Sequence, residues 1–132
     1  MSLIAWNESL SVGVREIDEQ HRKLFDLINV VLDSLEQKAT VATIESQWKE
    51  LVDFTKTHFS CEEEIMEKTK CSACDANKKA HHRFLDEITN LHAEFKANGA
   101  TPDFGRKFHQ FVASWLRMHI MVIDVTLKEV AT

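Results

Sequence analysis

The sequence predicts an all-α protein: an up-down-up-down antiparallel four-helix bundle with an irregular N-terminal arm. Two observations carry this. The 132 residues include three glycines and one proline, although 44% are hydrophobic. So few breakers leave room for long helices and little for a many-turned β fold. Apolar residues also recur at three- and four-residue steps in four successive stretches, the spacing of a helix with one buried stripe. The length fits a single domain over 1–132, large enough for a real core.

Residues 1–17, with Trp6 and Gly13, read as an arm that packs on the body. A first helix is expected over about 18–37, with Asp18 as its N-cap and His21, Leu24, Phe25, Ile28, Val31, Leu32 and Leu35 as its stripe. Residues 38–43 read as a short connection. The second helix is expected over about 44–68, with Ile44, Trp48, Leu51, Thr55, His58, Glu62 and Ile65 facing inward. After a break at 69–75, a third over about 76–97 carries Asn77, His81, Phe84, Ile88, Leu91 and Phe95. Gly99 suits the left-handed position that ends it. Thr101 and Pro102 open the fourth as N-cap and first helical residue. That helix is expected to run to about 130 with Phe104, Phe108, Phe111, Trp115, Met118, His119 and Val122 inward. The short connections force consecutive helices to be antiparallel neighbours.

A formal net charge of −5 argues against a nucleic-acid or anionic-membrane surface. No apolar run approaches the length of a membrane span, and the first residues lack the pattern of a signal peptide. Three cysteines, Cys61, Cys71 and Cys74, make an odd count. That fits a reducing compartment, and the cytoplasm is the expected location. Cys71 and Cys74 have C-x-x-C spacing, but no second pair of similar spacing completes a structural zinc site. The pair reads as loop filling, with a redox or regulatory role as the alternative.

The polar members of the stripes need an explanation, since a His, Glu or Asp in a helix core is costly without a partner. His58 and Glu62 are four residues apart, one above the other on a helix face. An imidazole beside a carboxylate suits iron, manganese or zinc, yet this motif alone arises by accident on any charged helix. Topology strengthens it. In an antiparallel bundle one end holds the start of helix one, the end of two, the start of three and the end of four. His21, His58 with Glu62, Asn77 with His81, and His119 with Asp124 all fall there. Four imidazoles and two carboxylates exceed what one metal needs and suit two metals bridged by carboxylates. Ferritin-like di-iron bundles rely mainly on carboxylates instead.

The chain resembles the bacterial hemerythrins over nearly its whole length. The matching elements are Trp6-Asn7 with Val12-Gly13, Ile17-Asp18-x-x-His21, and His58-Phe59-x-x-Glu62-Glu63-x-x-Met66. His81-x-x-Phe84 and Trp115-Leu116-x-x-His119-Ile120-x-x-x-Asp124 complete the set. The resemblance implies reversible O2 binding at a non-haem centre of two iron ions, oxo- or hydroxo-bridged, by a carrier, store or sensor rather than an enzyme. It implies that His21 and His58 hold the iron where O2 binds, that His81 and His119 hold the second iron, and that Glu62 and Asp124 bridge the two. Asp124 lies five residues after His119, about 140° around an ideal helix, so periodicity alone does not pair them.

One position departs from the family pattern of His-x-x-x-His on the third helix: Asn77 stands where the first histidine belongs. Its amide oxygen is a poor match for iron, so Asn77 is expected to be a weak ligand or none. His82 points about 100° off the stripe, and His92 lies roughly 16 Å along the axis from His81. The second iron is thus expected to be under-ligated. A di-iron enzyme that activates O2 or decomposes peroxide or nitric oxide is the alternative, with a metal or redox regulatory module behind it. A signalling output domain is a possible partner if the chain belongs to a longer sensor.

Overall fold

The computed structural model describes residues 4–69 and 74–120. Four α-helices follow a single 3-10 turn at Glu8–Leu10: α1 (Arg15–Glu36), α2 (Val41–Thr69), α3 (Cys74–Asn98) and α4 (Pro102–Met118). Among the described residues there is no strand. Helix α1 packs on α2 and α4, and α3 packs on the same two, closing the four-helix bundle. Contacts near the helix ends fix the directions. Glu45 at the start of α2 meets His92 near the end of α3 at 2.8 Å, and Lys107 early in α4 meets Glu94 late in α3 at 2.8 Å.

The stripes of α1 and α3 are buried as their periodicity predicts. In α3 the buried residues are Asn77, His81, Phe84, Ile88, Leu91 and Phe95. In α1, Ile17 joins the seven expected residues. Helix α2 adds Phe59 and Met66 to its buried face, whereas Ile65 is only half-buried. Helix α4 differs more. Its buried face runs through Phe104, Phe108, Val112 and Leu116 to His119 and Ile120, while Met118 is 61% exposed. A run of four-residue steps keeps Val112 and Leu116 inward. Met118 precedes His119 by one residue, about 100° around the helix, and so turns to solvent. Phe111 and Trp115 sit half-buried at the flank, against the Phe84 ring at 5.4 and 4.4 Å. Val122 lies outside the described residues.

The helix boundaries show how local chemistry shifts an end. Helix α1 starts at Arg15, ahead of Asp18, and Asp18 is not its N-cap. Instead the Asp18 carboxylate accepts hydrogen bonds from the Val12 N–H at 2.8 Å and the Ser11 hydroxyl at 2.6 Å, tying the arm to the first turn. A second tie is a two-point clasp: Ile4 N–H donates to Asn29 Oδ1 at 2.8 Å, and Asn29 Nδ2 donates to the Ile4 carbonyl at 2.7 Å. Trp6 completes the seal under the Arg22 guanidinium, 4.2 Å from the ring centre.

Helix α1 ends at a left-handed Lys38 (φ 57°). Helix α2 then begins three residues before Ile44, the first member of its stripe, because the Thr40 hydroxyl accepts from the Thr43 N–H at 3.2 Å as an N-cap. Gly99 (φ 79°) ends α3, and its N–H returns to the Phe95 carbonyl at 2.7 Å. Thr101 caps α4 through the Phe104 N–H at 3.0 Å, with Pro102 as the first helical residue. At His119 and Ile120 the backbone changes from α to π geometry, a wider turn. Among the described residues no helix is long and apolar enough to cross a membrane.

Candidate metal centre

The structure brings His21 from α1, His58 and Glu62 from α2, His81 from α3 and His119 from the end of α4 to one point inside the bundle. All five are at most 3% exposed. Glu62 is the hub. Its Oε2 lies 3.2 Å from His58 Nε2 and 3.4 Å from His21 Nε2. Its Oε1 lies 3.1 Å from His81 Nε2 and 3.3 Å from His119 Nε2. Each oxygen of one carboxylate thus serves its own pair of imidazoles. The result is two donor groups, His21–His58–Glu62 and Glu62–His81–His119, that share one residue.

Two of the imidazoles are set by a partner on the far ring nitrogen. His58 Nδ1 is 2.7 Å from Gln20 Oε1, and His81 Nδ1 is 3.1 Å from Glu63 Oε2. Both partners are oxygen acceptors, so in each ring Nδ1 carries the proton and donates. A neutral ring then presents its lone pair at Nε2, toward the Glu62 carboxylate. A lone pair facing a carboxylate oxygen is repulsive unless positive charge lies between them. Bound cations supply that charge, as an extra proton on each ring would. Hydrogen-bonded far nitrogens are the usual support of metal-binding histidines, fixing the tautomer and raising donor basicity.

Electrostatics point the same way. Burial by itself raises the Glu62 carboxyl, but positive charge on the facing nitrogens outweighs it: with protons there, hydrogen bonds from His119, His21, His58 and His81 hold the group well below the ordinary carboxylate range. Glu62 is therefore an anion in a closed interior. The donor spacing also fits. Two donors each about 2.1 Å from one ion and at right angles are roughly 3 Å apart, the separation seen on both sides of Glu62. The chemistry of this set, imidazole with a bridging carboxylate, matches iron.

Aromatic faces wall the site. Phe59 stacks on His81 with centroids 3.7 Å apart and planes within 8°, and Trp115 stacks on His119 at 4.3 Å and 14°. His21 meets His58 edge to face at 4.7 Å. The His21–His58 side is thus steadied by a polar contact from Gln20, and the His81–His119 side by flat rings and Glu63.

Asp124 lies outside the described residues, as does Cys71. Cys74 is a free thiol at the start of α3. Asn77 is fully buried one turn before His81, and neither its amide nitrogen nor its amide oxygen has a hydrogen-bond partner among the described residues. His92 is elsewhere, stacked on Trp48 at 5.7 Å and bonded to Glu45, while His82 is exposed and His109 is half-buried beside the arm. Sequence reasoning did not find Gln20, and Glu63 stood in the family motif without a role. Each is next in sequence to a stripe residue and so turned off the buried face. The available signal was an acceptor adjacent to a candidate ligand.

A family model described as the hemerythrin HHE cation binding domain matches residues 12–131. A bacteriohemerythrin of Stenotrophomonas maltophilia is 31% identical over 123 residues, covering 91% of this chain and 76% of that protein. A hemerythrin-like protein of Naegleria gruberi is 34% identical over 125 residues, covering 95% and 91% respectively. A crystal structure of wild-type hemerythrin superimposes with a TM-score of 0.82 at 27% identity, covering 98% of each chain.

Proposed function

The chain belongs to the hemerythrin family, and on that premise we propose that it binds O2 reversibly at a two-iron centre built around Glu62. The observation that carries this reading is the division of one buried carboxylate between two pairs of imidazoles. His21 and His58 would hold the iron that takes O2. His81 and His119 would hold the other, with Glu62 and Asp124 bridging and Asn77 contributing weakly or not at all. When bound, the irons supply one electron each to O2 and recover them on release.

The protein's own contribution is to hold and to exclude. Gln20 and Glu63 fix the tautomers of His58 and His81. Phe59 and Trp115 restrict the rings and keep solvent away, which slows the proton delivery that would turn reversible binding into oxidation.

The role is that of a carrier or store, or of the sensing module of a longer chain with a signalling output. A reducing compartment such as the cytoplasm agrees with free thiols at Cys61 and Cys74. The test is anaerobic loading with ferrous iron followed by O2. A charge-transfer absorption that appears with O2 and disappears on deoxygenation is expected. A protein holding two irons that shows no such band, or that consumes O2 continuously, contradicts the proposal.

A further inference from the structure

Among the described residues, the donor sets on the two sides of Glu62 are equal in kind and number. Each has two imidazoles and one carboxylate oxygen. A set of two histidines and one carboxylate leaves positions on an iron ion for exogenous ligands. A bridging Asp124 would add one oxygen to both sides and preserve their equality. Among the described donors, nothing therefore reserves exogenous ligands to the His21–His58 side.

Asn77 supplies the second observation. It sits four residues before His81 on the same buried face of α3, is 0% exposed, and has both amide atoms without a partner among the described residues. A buried amide in that condition is costly, and its Nδ2 offers two donors to an acceptor beside the His81–His119 pair. An imidazole at this position would instead add a third histidine, since residues four apart on a helix lie one above the other.

We propose that the His81–His119 side of the centre, next to Asn77, takes a second small anionic ligand, and that the Asn77 amide donates a hydrogen bond to it. The inference rests on the two-metal reading above. It changes the expected behaviour of the centre: two small ligands are taken up, one on each side of Glu62.

Azide, titrated into the oxidised iron-loaded protein with iron counted in the same sample, tests this. Two azides per two irons are expected for the protein itself and one for Asn77→His, whose imidazole fills the position. Asn77→Ala should still take two, with the second weakened about tenfold by loss of one hydrogen bond to a charged group. A single azide on a protein carrying two irons overturns the second position and leaves the metal centre intact. One iron in the protein but two in Asn77→His also overturns it. Fewer than two irons in both overturns the two-metal reading itself. An unchanged second affinity in Asn77→Ala overturns the role of the amide. Helical circular dichroism verifies that each variant folds, and Asn77→Ala, which only removes atoms, serves if Asn77→His does not.

Discussion

The Gln20 side-chain oxygen lies 2.7 Å from His58 Nδ1, on the far side of the ring from Glu62. Gln20 in turn directs its amide nitrogen to the Cys61 sulfur at 3.4 Å, so its orientation is fixed from both ends. Replacing it with leucine keeps the bulk and removes the acceptor. Such partners of metal-binding histidines contribute roughly 10–100-fold in metal affinity. Gln20→Leu is expected to weaken iron binding by that order, with one of the two irons lost first in a chelator competition. Gln20→Glu, which restores an acceptor, should recover most of the loss.

Glu62 belongs to both donor groups. Glu62→Gln is nearly isosteric but replaces an anion with a neutral amide that cannot bridge as a carboxylate does. Iron content is expected to fall from two per chain to below one, measured by elemental analysis after anaerobic loading. Full retention of two irons would remove Glu62 from its central place.

Phe59 stacks flat on His81 within 3.7 Å. Phe59→Leu keeps the site apolar but takes away the plane that restricts the ring. The expected cost in stability is about 1 kcal/mol, read from chemical denaturation of the metal-free protein. The more specific outcome is a loss of affinity for one iron only, because the stacked ring belongs to the His81–His119 pair.

On the surface, Asp103 in the first turn of α4 is held below the ordinary carboxylate range by hydrogen bonds from Arg106 and Lys107. A carboxyl lowered in the folded state adds stability above its unfolded value of 3.8, and that stability disappears as pH falls through the lowered folded value. Asp103→Asn should therefore lower the melting temperature slightly at neutral pH, and the difference should close as pH falls below the lowered folded value. A difference that persists there would assign the effect to packing rather than charge.

Periodicity made most of the bundle legible, because a three- and four-residue repeat is the physical signature of a buried helical face. The α3 stripe from Asn77 to Phe95 is buried residue for residue. Periodicity was less informative in α4, where aromatic residues at flanking positions mimic a stripe. Phe111 and Trp115 lie at the edge of the core while smaller Val112 and Leu116 fill its centre. The boundary of α1 was misplaced because an aspartate in a first turn looks like a cap, whereas Asp18 binds the arm.

At the site, the four histidines and Glu62 could be gathered from topology alone, since helix order and direction set their depth. Their division between the two oxygens of Glu62 is a matter of side-chain geometry that spacing does not encode. The roles of Gln20 and Glu63 were hidden for a related reason: they reach the centre sideways from positions turned off the stripe. Asp124 needed the family pattern, because five residues from His119 is about 140° around an ideal helix, so periodicity does not pair the two.

The most direct test of the account is the stoichiometry of O2 uptake by the reduced, iron-loaded protein, measured with an oxygen electrode through repeated cycles of oxygenation and deoxygenation. The account predicts one O2 taken up per two irons and the same amount returned in each cycle. Uptake that is not returned, or that scales with single irons, would contradict it.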